Sequence, residues 1–246
     1  MSGKTAARIV IAALGGIALG GLATLAIRSY SESRPLPPLP PAPTISVPRG
    51  DPPEGIVAFE ERVNGHLNGS GFLLQLPDGD AIGVTTAHSL GEGNFWPLEF
   101  RIAGTPRVAA AFDTLYVPLG RPRTDADMTV DYVLMRAASP PDPAFVLTPD
   151  PRGEPQPGER VLLHSGLGDG RGGPRVLPGT VESVDANGGW IRMDEVFEPG
   201  LMSGSPIVSA HTGRVVGMTI AATRAGGALL IGINPIGAIV AAALSK

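Results

Sequence analysis

A serine hydroxyl is a poor nucleophile until a base takes its proton. Imidazole can do this near neutral pH, and a carboxylate can fix its tautomer and steady the imidazolium. The chain offers one residue of each type beside an apolar run. His88 ends "GVTTAH", Asp131 heads "DYVLMRA", and Ser203 lies within "GLMSGSPIV". They stand 43 and 72 positions apart, so each must reach a common site from a different loop. Each also has an ordinary reading. Gly-Ser-Pro is common turn chemistry, a histidine at a strand end is often structural, and an aspartate before a strand can be a cap. A carboxylate entering a buried strand, however, costs desolvation energy unless a donor compensates it. A histidine N–H would do so.

The elements that could carry these residues are short apolar runs punctuated by Gly, Pro, Asn and Asp. They are GIVAFEERV, GFLLQL, AIGVTTAH, LEFRIAG, YVLMRA, RVLLHSG, GTVESV, GWIRMD, SPIVSA, RVVGMTIAA and ALLIGI. Such a series predicts an all-β barrel or sandwich over residues 54–246. "LPDGDAI" and "DANGGW" carry the Asp-Gly and Asn-Gly pairs of hairpin turns. The tail PIGAIVAAALSK predicts a terminal helix, with Pro235 suited to its first turn. Gly 34 and Pro 26 together approach a quarter of the 246 residues, which argues against a helical bundle. With 17% charged residues and a net charge of -4, nothing suggests a basic nucleic-acid face. There is no cysteine, hence no disulfide and no thiolate metal site.

Residues 1–8 form a short tail ahead of the uncharged run 9–27, IVIAALGGIALGGLATLAI, bracketed by Arg8 and Arg28. As a helix it would span about 28 Å, close to a bilayer core of about 30 Å, which predicts an uncleaved transmembrane signal anchor. A signal peptide, cleaved to leave a secreted protein, is the rival reading, though its apolar stretch is normally shorter. Lys4 and Arg8 favour a cytoplasmic N-terminus and an extracytoplasmic domain. Ala12, Gly16, Gly20 and Thr24 recur every four residues, a stripe through which such helices could self-associate. Residues 28–53 read as a Pro-rich linker, with nine prolines between 35 and 53, an extended semi-rigid spacer.

The quoted motifs also fall into a familiar order. "GSGF…GVTTAH" looks like GSGF…TAAH, "DYVLMRA" like D-[LI]-A-L-L-[KR], and "PGLMSGSPIVSAHTGRVVGM" like P-G-N-S-G-G-P-L…G-x-V-V-G. On these residues the chain resembles the chymotrypsin-like (trypsin-fold) serine proteases, most closely the cysteine-free bacterial branch that includes the HtrA/DegP proteases. The resemblance implies two six-stranded antiparallel β-barrels with a cleft between them and a C-terminal helix over 54–246. It implies His88 as general base, Asp131 as its orienting partner and Ser203 as nucleophile. It puts the oxyanion hole at the backbone N–H groups of Leu201 and Ser203. A substrate pocket is implied near Phe197, Thr219, Ala221 and Ala222, with no acid where a Lys/Arg-selecting carboxylate would sit and so a small or apolar P1 side chain. It implies a polypeptide substrate and no cofactor or metal. The family usually has glycine where Leu201 stands, so the turn has gained a residue or leucine replaces glycine. That departure supports a second reading, a catalytically silent domain that binds peptides or a partner protein. No PDZ-like domain is expected after the terminal helix.

Three other patterns carry less. Gly168-x-Gly170-x-x-Gly173 lacks a following helix, so it makes no dinucleotide site. Asp125, Asp127 and Asp131 lack the remaining oxygens of a calcium loop. His66, His164 and His211 show no ligand spacing and read as surface or turn residues.

Overall fold

The computed structural model describes residues 35–90, 95–123, 127–167 and 175–245. The apolar stretch 9–27, the glycine pattern 168–173 and Asp125 lie outside them. Among the described residues no helix is long and apolar enough to cross a membrane. The chain divides into two compact units. The larger, Leu39–Thr223 with Leu229–Lys246, holds both barrels. Of the smaller, Met1–Pro38 with Arg224–Ala228, the described parts are an extended stretch and a turn.

Strands β1 (Phe59–Val63), β2 (His66–Gln75), β3 (Ala81–Thr85), β4 (Leu98–Arg101), β5 (Val108–Leu115) and β6 (Val133–Ala137) form the first barrel. Their order is β1-β4-β5-β6-β3-β2, and β1 closes it by pairing with β2. A short β7 (Val146–Leu147) adds in parallel to β2. The second barrel is closed in the order β10-β13-β12-β11-β8-β9. Its strands are β8 (Arg160–Ser165), β9 (Arg175–Asp185), β10 (Gly188–Met193), β11 (Pro206–Ser209), β12 (Val215–Ala225) and β13 (Ala228–Pro235). Among the described residues two α-helices complete the fold, α1 (Ala87–Leu90) and the terminal α2 (Ile236–Leu244). The fold is therefore all-β, two six-stranded antiparallel barrels with a C-terminal helix.

Period-two burial drives the strands together. Phe59, Phe100 and Phe112 fill the first barrel, their successive ring centroids 6.1 and 4.7 Å apart. Leu163, Val181, Ile191, Ile207 and Ile231 fill the second. A third cluster joins them, with Phe72, Leu74 and Ile82 of the first barrel meeting Val208, Met218 and Ile220 of the second. Helix α2 seals this seam with Ile236, Ile239 and Ala243, all fully buried at helical spacing. Between β1 and β2 lies a two-residue hairpin, Asn64-Gly65, with φ of 50° and 80°. Two consecutive left-handed residues match the twist of the flanking strands.

The described part of the proline-rich segment holds no helix or strand, and from Leu39 onward it does not stand free. Half-buried Pro43, Ile45 and Val47 alternate with exposed neighbours. Gly50 N–H donates to His211 O at 2.9 Å, and His211 Nε2 donates to Val47 O at 2.9 Å. The segment is a strap along the turn between β11 and β12.

Candidate active site

His88 lies in the single turn of α1, directly after β3. Asp131 immediately precedes β6 by two residues, and Ser203 sits in the turn that leads into β11. The structure brings them together. Asp131 Oδ2 meets His88 Nδ1 at 2.7 Å, and His88 Nε2 meets Ser203 Oγ at 2.9 Å. Asp131 is fully buried, while the His88 ring is 32% exposed toward the cleft. The carboxylate is compensated by backbone donors. Oδ1 accepts from Ala87 N–H at 2.8 Å and His88 N–H at 3.1 Å, and Oδ2 accepts from Arg123 N–H at 3.2 Å. With the carboxylate at Nδ1, that nitrogen carries the imidazole hydrogen, and Nε2 presents a lone pair to the serine.

The turn of Ser203 is anchored on both sides. Met202 N–H donates to Pro199 O at 3.1 Å, and the Met202 side chain is buried in the second-barrel core. Gly204 N–H donates to Thr219 O at 2.8 Å. Gly204 has φ of 91°, and a Cβ there would stand 1.8 Å from Ser70 O, so only glycine fits. Leu201 has φ of 63°, the left-handed conformation that glycine favours, with its side chain 48% exposed. Leucine therefore stands in a conformation that glycine favours. Among the described residues the N–H groups of Leu201 and Ser203 have no acceptor.

Beside Ser203 and His88 lies a cavity of about 290 Å³, walled by Thr219, Ala221 and Ala222. Phe197 is not part of that wall; its ring packs on the second-barrel core. Glu198 and Arg123 also line the cavity. His164 also departs from expectation. It is only 5% exposed, on β8, and its Nε2 has no hydrogen-bond partner among the described residues.

Sequence reasoning passed over Glu61, Ser70 and Thr85, which connect the first barrel to the Ser203 turn. Glu61 is fully buried on β1. Its signal was legible in "FEERV". Phe59, Glu61 and Val63 share one face by strand period, so an acid at 61 points where Phe59 points.

Residues 69–218 match the model of a protein family described as "Trypsin-like peptidase domain". Similar solved structures include Kallikrein-related peptidase 10, with 16% identity over 75% of this chain and 92% of that one and a TM-score of 0.51. A complex of Kallikrein-related peptidase 10 with Zn2+ has 17% identity over 73% and 89%, with a TM-score of 0.53. A mutant of human heparin binding protein has 13% identity over 80% and 93%, also with a TM-score of 0.53. At these identities the likeness is one of fold. No curated protein matches the chain.

Proposed function

The chain belongs to the trypsin-like peptidase domain family, and on that premise we propose that it is a serine endopeptidase anchored in a membrane with its barrels on the extracytoplasmic side. The observation that carries the catalytic reading is the unbroken run from Asp131 through His88 to Ser203, with contacts of 2.7 and 2.9 Å. His88 Nε2 takes the Ser203 hydroxyl hydrogen as Oγ attacks the scissile carbonyl carbon. Asp131 stabilises the imidazolium that forms. Charge develops on the carbonyl oxygen, and the free N–H groups of Leu201 and Ser203 receive it. His88 then protonates the departing amine, leaving an acyl-serine. A water molecule, deprotonated by His88, attacks that ester, and His88 returns the proton to Ser203 Oγ as the C–O bond breaks and the acid leaves. No step needs a cofactor.

The small walls at Ala221 and Ala222 support a small or apolar P1 side chain, with Glu198 adding a polar edge. Absence of cysteine and the "GSGF" and "DYVLMRA" strings support a place near the HtrA/DegP branch. The nineteen-residue apolar run supports the anchor, and its small-residue stripe supports helix-mediated self-association. Mass spectrometry of the mature N-terminus tests the anchor. An intact residue 9–27 segment supports it, and its loss shows a secreted protein.

The test of the enzyme is covalent labelling of the full-length protein with a fluorophosphonate, with Ser203→Ala as control. Labelling that depends on Ser203 is expected. A folded protein that takes no label would be the silent binding domain instead.

A further inference from the structure

Glu61 is a buried carboxyl group outside the His88–Asp131–Ser203 run, and its partners lead back to it. Glu61 Oε1 accepts from Asn68 Nδ2 at 2.8 Å, and Asn68 also donates to Ser89 O at 2.5 Å, one residue from His88. Glu61 Oε2 is hydrogen-bonded to Thr85 Oγ. Thr85 Oγ lies 2.8 Å from Ser70 O. Ser70 crosses to the nucleophile turn. Its N–H donates to Ser203 O at 2.9 Å and its hydroxyl to Leu201 O at 3.2 Å. Ser70 thus holds the carbonyls of the two residues whose N–H groups would receive the oxyanion.

Counting hydrogens decides how this chain is polarised. A threonine hydroxyl has one hydrogen and a carbonyl can only accept. The bond to Ser70 O takes Thr85's hydrogen. The contact between Thr85 Oγ and Glu61 Oε2 then holds a hydrogen only if Glu61 supplies it. An ionised Glu61 would either face an oxygen lone pair in a fully buried site or draw the Thr85 hydroxyl away from Ser70. Burial raises the Glu61 carboxyl above its ordinary range, outweighing what a Thr85 hydrogen turned to the carboxylate, the Asn68 amide and the field of His88 would do to lower it. The other charges on β1 and β4 pair among themselves, Arg62 with Glu60 and Arg101 with Glu99, each at 2.7 Å, and His66 at the start of β2 is exposed to solvent. The paired charges occupy the opposite parity of their strands, and the titratable neighbour that acts on Glu61 is His88.

We propose that Glu61 is a protonated carboxylic acid in the folded protein and that, through Thr85 and Ser70, it is a positioning residue for the turn that carries Leu201 and Ser203. Its bearing on turnover rests on the peptidase reading above; its protonation does not.

The protonation is tested by the infrared difference spectrum of the full-length protein against Glu61→Gln at neutral pH. The carbonyl stretch of a carboxylic acid is expected. A carboxylate band in its place overturns the proposal. The positioning is tested by amide exchange at Ser70. Thr85→Val and Glu61→Ala should speed it about tenfold or more, whereas Glu61→Gln, whose amide can donate to Thr85 as the acid does, should stay within about threefold. Equal acceleration by the Gln and Ala variants overturns the proposal. If Glu61→Ala does not fold, Thr85→Val carries the same comparison. Fluorophosphonate labelling rates should follow the same ranking. They should also fall toward alkaline pH in the wild type as Glu61 ionises, a fall that Glu61→Gln lacks; identical pH profiles would count against it. A folded wild type that takes no label defeats the peptidase reading, while the spectrum and the exchange rates still decide Glu61.

Discussion

Asp131 holds His88 twice, accepting its backbone N–H on Oδ1 at 3.1 Å and meeting its ring Nδ1 with Oδ2 at 2.7 Å. One carboxylate therefore fixes both the ring's tautomer and the one-turn helix that presents it. Asparagine would keep the shape but replace one acceptor with an NH₂ group. That group must face either the backbone donors of Ala87 and His88 or the ring N–H. Asp131→Asn should slow fluorophosphonate labelling on the order of 10³- to 10⁴-fold, the effect of a wrong tautomer. Circular dichroism should show the barrels retained. A loss of less than tenfold would mean that His88 is not oriented through Asp131.

Leu201 bears left-handed strain of about 1–2 kcal/mol that glycine would not. Its side chain is about half exposed, so removing it loses little burial. Glycine gains conformational entropy in the unfolded chain, which offsets part of the relief. Leu201→Gly should therefore lie within about 1 kcal/mol of wild type in urea unfolding and keep its labelling rate. Leu201→Val, with a branched Cβ at the same φ, should destabilise by a further 1 kcal/mol or more and lower the labelling rate, since the turn can then relax away from the left-handed region.

The legibility of this chain follows from how local each signal is. Strands such as β3, β6 and β11 carry short runs rich in Val, Ile and Leu, and these were readable directly. Strand β5, VAAAFDTL, was not. Three successive alanines have weak strand preference, and its burial alternates irregularly because the ladder to β6 shifts between Phe112 and Thr114. The two-residue β7 is set wholly by its partner β2. The Asn64-Gly65 hairpin was a clear local signal left unused. In "DANGGW" the paired residues are Asp185 and Gly188, so the turn spans Ala186-Asn187, one place earlier than the Asn-Gly pair suggests. At the site, residue types pointed to His88, Asp131 and Ser203, whereas the Glu61–Thr85–Ser70 contacts join separate strands and have no sequence-local trace. The strap was readable as proline-rich, but its docking depends on His211, more than 150 positions away.

His164 makes stability depend on pH. Burial pushes its imidazole down to about 4 from 6.5. Between those values the unfolded chain binds a proton that the folded chain refuses, so stability falls as pH drops from 6.5 toward 4. Above 6.5 neither state is protonated and the contribution vanishes. Below about 4 both are, and the loss is complete, on the order of 3 kcal/mol. Urea midpoints should therefore decline through this window, and the decline should be shallower in His164→Leu. That variant also removes the unpartnered Nε2, so it should match or exceed the wild type near pH 5. A His164→Leu profile parallel to wild type would show that other groups set the acid limit.

Arg152 joins two buried carboxylates, Asp150 through Nη2 at 2.7 Å and Glu159 through Nη1 at 2.9 Å. Burial alone would raise the Asp150 carboxyl, but hydrogen bonds from Arg152 and Thr212 outweigh it and hold it below its ordinary range. The same carboxylates accept from the β11–β12 turn and the residue before it, Asp150 from Thr212 Oγ1 at 2.6 Å and Glu159 from Ser209 Oγ, the last residue of β11, at 2.5 Å. That turn carries His211, whose carbonyl holds Gly50 of the strap. It also carries Gly213, where a Cβ would stand 1.9 Å from Asp51 O. Arg152→Ala would leave two buried acids uncompensated, and urea unfolding should show a loss of about 3–5 kcal/mol at neutral pH. Protonating the acids relieves the unpaired charge, so the deficit should narrow as pH falls. Amide exchange at Gly50 should quicken in Arg152→Ala, because the turn that accepts its hydrogen bond is no longer fixed. In Gly213→Ala the strap itself is displaced, so Gly50 exchange should quicken while the Arg152 network keeps its pH profile. Unchanged Gly50 exchange in both variants would mean that the strap is held by Pro43, Ile45 and Val47 rather than by the turn.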